Sequence, residues 1–317
     1  MKLTFDQIKE ITVGASQIFI KEDGSIGFYK CTEKQNAAWE SFSEVLGTRA
    51  RTTTGIRFDF HTNSKNLKIM TATGGLFDLL INGVIVRHFN TAENKEISYQ
   101  LSSEQEDNRV TFVFPSHGLG SISFVEIDDG AYVKRHEFDM KILFFGDSIT
   151  QGHKSDYDSI SYAYQTSFFF NADSMIQGIG GAFFHESTFD TEIPYDPDVV
   201  IVAYGTNDFG RYRTLDELRL HTSAFLDCVK DKYLGKKIIC ISPIWRGDDD
   251  KPKAMGMFSS CLDVIKDEIA LHGFIHIDGY KLTPHDPWFY SDAYLHPNAA
   301  GFGIYAINLV KELQKYI

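Results

Sequence analysis

Apolar and polar residues alternate with two different rhythms along this chain, and the change falls near residue 139. Across residues 47–127 the rhythm is period two, broken by turn residues. Ile56-Arg57-Phe58-Asp59-Phe60 alternates apolar and charged side chains, as a strand with one buried face does. Leu79-Leu80-Ile81 and Val84-Ile85-Val86 flank Asn82-Gly83, a two-residue hairpin signal because both turn residues tolerate positive φ. Val110-Thr111-Phe112-Val113-Phe114 stops at Pro115, and Ile122-Ser123-Phe124-Val125-Glu126-Ile127 alternates again. Many short strands with turns between them predict a β-sandwich, with a helical segment around residues 37–45 interrupting or preceding it.

Residues 128–139 are charged and contain glycine, and read as a linker. Beyond them the strands become continuous apolar runs: Lys141-Ile142-Leu143-Phe144-Phe145, Val199-Val200-Ile201-Val202-Ala203 and Ile238-Ile239-Cys240-Ile241, with shorter runs at 174–177 and 274–277. Such runs mark strands buried on both faces. Helical stripes separate them. Thr214-x-x-Glu217 is a capping box ahead of Leu218, Phe225, Leu226 and Val229, with Gly235 beyond the end. Met255, Phe258, Leu262, Ile265 and Ile269 form a second stripe closed by Gly273, and Phe302, Tyr305, Ala306, Leu309, Val310 and Leu313 a third. Strands alternating with helices predict a parallel sheet covered on both faces. The expected division is a β-sandwich accessory domain with its linker at 1–138 and an α/β domain at 139–317.

Composition narrows the function without naming it. The 317 residues are 43% hydrophobic and 23% charged, as in ordinary globular proteins. The formal net charge of -12 repels phosphate backbones and anionic lipid, so neither nucleic acid nor a membrane surface is an expected partner. A neutral or weakly polar substrate fits better, and a homo-oligomer is left open. Four cysteines include no C-x-x-C pair, so no structural zinc site is expected. His185-Glu186 lacks the second histidine of H-E-x-x-H, and no metal is expected. The first residues lack the apolar run of a signal peptide, and no stretch reaches the ~20 apolar residues of a membrane span. A cytoplasmic location is the resulting expectation.

The chemistry lies where the apolar runs end, because ligands of parallel α/β sheets bind at the carboxyl ends of the strands. Gly146-Asp147-Ser148-Ile149-Thr150-Gln151-Gly152 follows the first run and Gly178-Ile179-Gly180-Gly181 the next. Tyr204-Gly205-Thr206-Asn207-Asp208 follows the third, and Asp292-Ala293-Tyr294-Leu295-His296-Pro297-Asn298 precedes the last helix. Together they supply a hydroxyl, flexible backbone amides, a carboxamide and an imidazole, the inventory acyl transfer needs.

These four segments resemble the blocks of the SGNH hydrolases, the GDSL lipase/esterase family, over roughly residues 140–317. The resemblance implies a flavodoxin-like three-layer α/β/α sandwich. With the β-region ahead of it, the chain also looks like the two-domain carbohydrate esterases of that superfamily, which carry an N-terminal jelly-roll. The family pattern implies Ser148 as nucleophile and His296 as general base. It implies the N–H groups of Ser148 and Gly181 and the Asn207 amide as oxyanion donors, with no metal or organic cofactor. The usual spacing in the family is Asp-x-x-His, whereas here Ala293 occupies that position and the nearest acid is Asp292, four residues before His296. Asp292 is the expected orienting acid. Asp286 and a backbone carbonyl that would leave a Ser–His dyad are the alternatives.

Each segment also has a plainer reading. Ser148 or Thr150 could cap a helix, Gly180-Gly181 could be an ordinary loop, Asn207 a turn former and His296 a structural histidine. The case rests on four blocks in order. Trp245 and Trp288 could stack on a sugar ring or anchor loops, and Tyr204 and Phe183-Phe184 could narrow an acyl pocket or fill the core. The G-x-S-x-G elbow is absent around Ser148, which argues against an α/β-hydrolase fold. The expected activity is removal of a short acyl group, acetyl foremost, from a carbohydrate or related alcohol. The rivals are an acyltransferase using the same acyl-enzyme, and a carbohydrate-binding protein with an inactive hydrolase domain.

Overall fold

A computed structural model describes residues 1–102 and 105–317. Two antiparallel sheets form the N-terminal sandwich. One runs β1 (Thr12–Val13), β4 (Arg57–Thr62), β9 (Asn108–Val113), β6 (Leu76–Ile81), β7 (Val84–Asn90), with β11 (Lys134–Arg135) also on β4. The other runs β2 (Gln17–Ile20), β3 (Ile26–Tyr29), β10 (Ser121–Ile127), β5 (Asn66–Thr71), β8 (Glu96–Gln100). Alternation decides what lies between them. Phe58, Phe60, Phe77 and Phe112 are wholly buried in a cluster with Phe28 and Phe114, each such ring contributing roughly 1.5–3 kcal/mol. The Asn82-Gly83 hairpin closes as expected, pairing Ile81 with Val84.

The polar positions of β4 do not face water. Arg57 and Asp59 are both 0 % exposed. Arg57 Nε contacts Asp59 Oδ2 at 3.2 Å, while its Nη1 and Nη2 donate to Ser174 Oγ and the Ala172 carbonyl at 3.0 and 2.7 Å. Arg109 closes on Asp59 at 2.8 and 2.9 Å. The second face of this sheet is therefore covered by the C-terminal half. Charges out of water survive there because every one is paired and hydrogen-bonded.

The third sheet is wholly parallel, in the order β13 (Ala172–Gly178), β12 (Met140–Gly146), β14 (Val199–Ala203), β15 (Lys237–Ile241), β16 (Ile275–Ile277). Numbered by sequence this is 2-1-3-4-5, the flavodoxin-like order, with its topological switch between β12 and β14. Leu143, Phe145, Val200, Val202 and Cys240 face the side packed by α7 (Leu215–Lys232) and α8 (Phe258–Leu271). Ile142, Phe144, Val199, Ile201 and Ile239 face α5 (Tyr162–Phe169) and α9 (Ala299–Leu313). This is the expected α/β/α sandwich, preceded by the expected β-sandwich.

Several local details depart from expectation. The helical stretch near residues 37–45 is two helices, α2 (Glu33–Phe42) and α3 (Glu44–Ala50), separated at Ser43, whose side chain accepts from Leu46 N. Trp39, Leu46 and Ala50 pack into the α7–α8 side of the C-terminal core, so these helices cover the parallel sheet. A further short helix, α1 (Phe5–Ile11), opens the chain. The charged segment 128–139 contains β11. At Thr214 only half of the capping box forms: Thr214 accepts from Glu217 N, but Glu217 Oε2 takes the N–H of Arg213. No helix among the described residues is long and apolar enough to cross a membrane.

Candidate active site

Strand β12 ends at Gly146, and the chain turns at once into the short helix α4 (Ser148–Gln151). The turn is tight enough that a Cβ on Gly146 would lie 1.9 Å from Thr150 Oγ1, so only glycine lets the helix fold back over the strand end. The cap is Asp147, whose Oδ1 accepts from Ile149 N at 2.9 Å, rather than Ser148 or Thr150. Ser148 is the first helical residue, 8 % exposed. Its Oγ lies 2.9 Å from His296 Nε2.

His296 sits in the loop before α9, with its Nδ1 2.5 Å from Asp292 Oδ2. The other Asp292 oxygen accepts the backbone N–H groups of Leu295 and His296 at 2.9 and 3.0 Å. Burial pushes this carboxyl up, but those N–H groups and the imidazole outweigh it and hold the group down at about 2. The four-residue spacing works because Ala293 adopts φ 63. That left-handed kink takes up the extra residue and turns the carboxylate back onto the ring. Asp286 instead caps the 3-10 turn Pro287–Phe289 through Trp288 N and does not meet His296.

The two segments after β13 and β14 lie on either side. Gly181 has φ 88, a conformation that favours glycine, and its N–H has no acceptor among the described residues. Gly180, the residue before it, is held through both of its backbone polar groups. Gly180 N donates to Gln151 Oε1 at 2.7 Å, and the Gly180 carbonyl accepts from Arg49 Nη1 at 2.9 Å. Asn207 donates one amide hydrogen to the Ala182 carbonyl at 2.9 Å, which fixes the carboxamide and leaves its second N–H free to point elsewhere. Arg246 steadies that loop, donating from Nη1 to Thr206 O at 2.9 Å while its other nitrogens grip Asp248.

The sandwich reaches this site. Gln151 Nε2 donates to the Ser116 carbonyl at 2.7 Å. The ring of His117, the next residue, meets His153 edge-on at 5.3 Å, and His153 meets His296 at 4.6 Å. Burial and the neighbouring imidazoles hold His153 down at about 4, so it is uncharged beside His296 at neutral pH. Arg49, Gln151, His117 and His153 carry no motif. Their partners lie tens of residues away in sequence, and only Gln151, inside the first block, and His153, just past it, stood near anything recognisable.

The aromatic candidates separate. Tyr204 is a correction: it is 3 % exposed and packs its ring on Phe184 and Phe225, each at 5.4 Å. Strand β14 delivers it to the core on the α7–α8 side of the sheet. Phe183 and Phe184 are buried in the same core. Trp245 is half-buried, stacked parallel to His285 at 5.9 Å and edge-on to Tyr290 at 5.0 Å. Trp288 is 81 % exposed, while its carbonyl is tied to Asn298 Nδ2 at 2.8 Å.

Asp147 and Asp208 are buried, and among the described residues neither has a cationic partner in hydrogen-bonding contact. Burial pushes Asp147 up to about 7, against the pull of the Ile149 N–H. Burial likewise lifts Asp208 to about 7, against the pull of the Phe184 N–H and with a further push from Asp147. Asp208 Oδ2 has no hydrogen-bond partner among the described residues, so nothing there compensates a negative charge and the neutral acid is favoured.

Comparisons with known proteins agree with this architecture. The chain resembles a salicylyl-acyltransferase from a tetracycline biosynthetic pathway (17% identity, 96% of this chain and 94% of that one, TM-score 0.79). It also resembles a family two carbohydrate esterase from Clostridium thermocellum solved with cellohexaose (16% identity, 96% and 98%, TM-score 0.67). A family two carbohydrate esterase from Cellvibrio japonicus is similar as well (17% identity, 96% and 95%, TM-score 0.65). No curated protein sequence matches. The family model described as GDSL-like Lipase/Acylhydrolase matches residues 144–304, which span all four segments of the site. The chain belongs to the GDSL-like lipase/acylhydrolase family.

Proposed function

We propose that this protein is a serine esterase that removes a short acyl group, acetyl foremost, from a carbohydrate or related alcohol. The observation that carries the reading is the continuous relay Ser148 Oγ–His296 Nε2–Nδ1–Asp292, with links of 2.9 and 2.5 Å. Ser148 attacks the ester carbonyl while His296 takes the hydroxyl proton, so a weak nucleophile is activated at the moment of attack. The oxyanion is met by the N–H groups of Ser148 and Gly181 and by the Asn207 amide. The imidazolium, stabilised by the ionised Asp292, gives its proton to the departing alcohol. Water then attacks the acyl-serine by the same route, with His296 as base, and releases the acid. A positioned donor on the oxyanion contributes roughly 3 kcal/mol, and no step needs a metal or organic cofactor.

The short acyl group is supported by the tight setting of Ser148, 8 % exposed at the foot of the site. The sugar is supported by the exposed ring of Trp288 on the segment leading to His296, and by the likeness to carbohydrate esterases. A small-molecule or oligosaccharide ester is thus the proposed partner. The likeness to an acyltransferase favours a second reading, in which the same acyl-serine passes its acyl group to an alcohol other than water. The assembled relay argues against an inactive carbohydrate-binding protein.

Rapid quenching of the protein with an acetylated sugar, followed by peptide mapping, tests the reading: acetyl should appear on the Ser148 peptide. Its absence under turnover would remove the acyl-serine. Product analysis with and without a second alcohol separates hydrolysis from transfer.

A further inference from the structure

Away from the relay, three metal-ligating side chains converge. His185 and Glu186 lie just past the Gly181 turn, and His221 comes from α7, 35 residues after Glu186. One ligand atom from each lies within 4.8 Å of the other two. His221 Nδ1 is 2.9 Å and His185 Nδ1 3.7 Å from the same oxygen, Glu186 Oε2. Zinc bonds of 2.0–2.2 Å to nitrogen and oxygen in a tetrahedron require ligand atoms about 3.4 Å apart. The two separations bracket that value.

The surroundings hold these side chains in place. The two imidazoles are stacked at 4.3 Å with a 20° tilt. Tyr212 lies parallel on the far face of His221 at 5.2 Å, and Phe42 meets His185 edge-on at 4.8 Å. The Ser187 hydroxyl lies 2.9 Å from His185 Nδ1, and its N–H donates there at 3.3 Å. The N–H accepted at Nδ1 marks it as the unprotonated nitrogen, and an ion would take its one lone pair in place of that bond. The side chains are 19 %, 40 % and 20 % exposed for His185, Glu186 and His221, so an ion and its water have access.

We infer that His185, Glu186 and His221 form a binding site for a divalent cation of the zinc class, with a fourth position open to water. The donor set of two imidazoles and one carboxylate suits zinc rather than calcium or magnesium, which prefer oxygen ligands throughout. The H-E pair, incomplete as a sequence motif, is completed by a helix it meets only in the fold. A bound ion would cross-link the loop carrying Gly181 to α7.

The test is calorimetric titration of Zn²⁺ into chelator-treated full-length protein, alongside His221→Ala and Glu186→Gln. The expected result is one ion per chain, with affinity at least about tenfold weaker in each variant. Co²⁺ should give a visible tetrahedral absorption band in the wild type that His221→Ala loses. Equal fluorophosphonate labelling of Ser148 in all three proteins verifies that the variants are folded. If His221→Ala fails that control, Glu186→Gln, which preserves shape, decides. No binding, or equal affinity in the wild type and the folded variants, would overturn the site.

Discussion

Arg49 Nη1 donates to the Gly180 carbonyl at 2.9 Å, and that carbonyl shares one rigid peptide plane with the Gly181 N–H. Fixing the oxygen fixes where the N–H points. Gln151 holds the other side of Gly180 at 2.7 Å, so a residue from α3 and one from α4 jointly aim this backbone donor. Arg49→Met should therefore lower kcat for an acetyl ester about tenfold, a fraction of the loss from deleting an oxyanion donor outright, and leave KM nearly unchanged. Steady-state kinetics check this. An unchanged kcat would mean that Gln151 alone sets the peptide.

Asp292 is the acid bonded to His296, and Asp286 is a helix cap. Asp292→Asn should cost about 10³-fold or more in kcat, because an amide can favour the wrong imidazole tautomer and cannot balance the imidazolium charge. Asp286→Asn should leave kcat within about twofold, since asparagine also caps. Comparable losses in the two variants would contradict this assignment.

Asp208 makes stability depend on pH in an unusual direction. Its folded-state carboxyl titrates at about 7, against 3.8 for a free aspartate. Below the lower value both folded and unfolded chains hold the proton, and the group is neutral to stability. Between the two values only the folded chain holds it, so stability falls as pH rises, by up to about 1.4 kcal/mol per pH unit. Asp208→Asn removes this dependence. Thermal melts from about pH 5 to pH 8 should show the variant gaining on the wild type as pH rises. A constant difference would mean that Asp208 is ionised throughout.

Trp288 offers an exposed ring on a fixed backbone. Trp288→Ala should raise KM for an acetylated oligosaccharide about fivefold or more, a stacking contribution of roughly 1 kcal/mol. The same variant should leave p-nitrophenyl acetate kinetics unchanged. Equal effects on both esters would place the ring outside sugar recognition.

The parallel strands and the four blocks were legible because each is a local pattern: an apolar run, then the residues at its end. The sandwich strands were legible for the same reason. What local pattern hid was the partner of each polar group. Arg57 and Asp59 alternate with phenylalanines as a solvent face would, yet the C-terminal half covers them, and only the fold reveals Ser174 and Ala172 as their neighbours. Tyr204 adjoins the third block but points into the core. Arg49 and Gln151 form their decisive bonds to Gly180, 131 and 29 residues away. The Asp292 spacing looked anomalous until the positive φ of Ala293 accounted for the additional residue.

The central claim is that Ser148 is the nucleophile of an acyl-transfer relay. It is tested most directly by exposing wild type and Ser148→Ala to a fluorophosphonate probe and then to p-nitrophenyl acetate. The wild type should be labelled, lose its turnover on labelling, and carry the probe on Ser148. Ser148→Ala should take no label and show no turnover above solvent. Equal labelling or equal turnover in the two proteins would contradict the account.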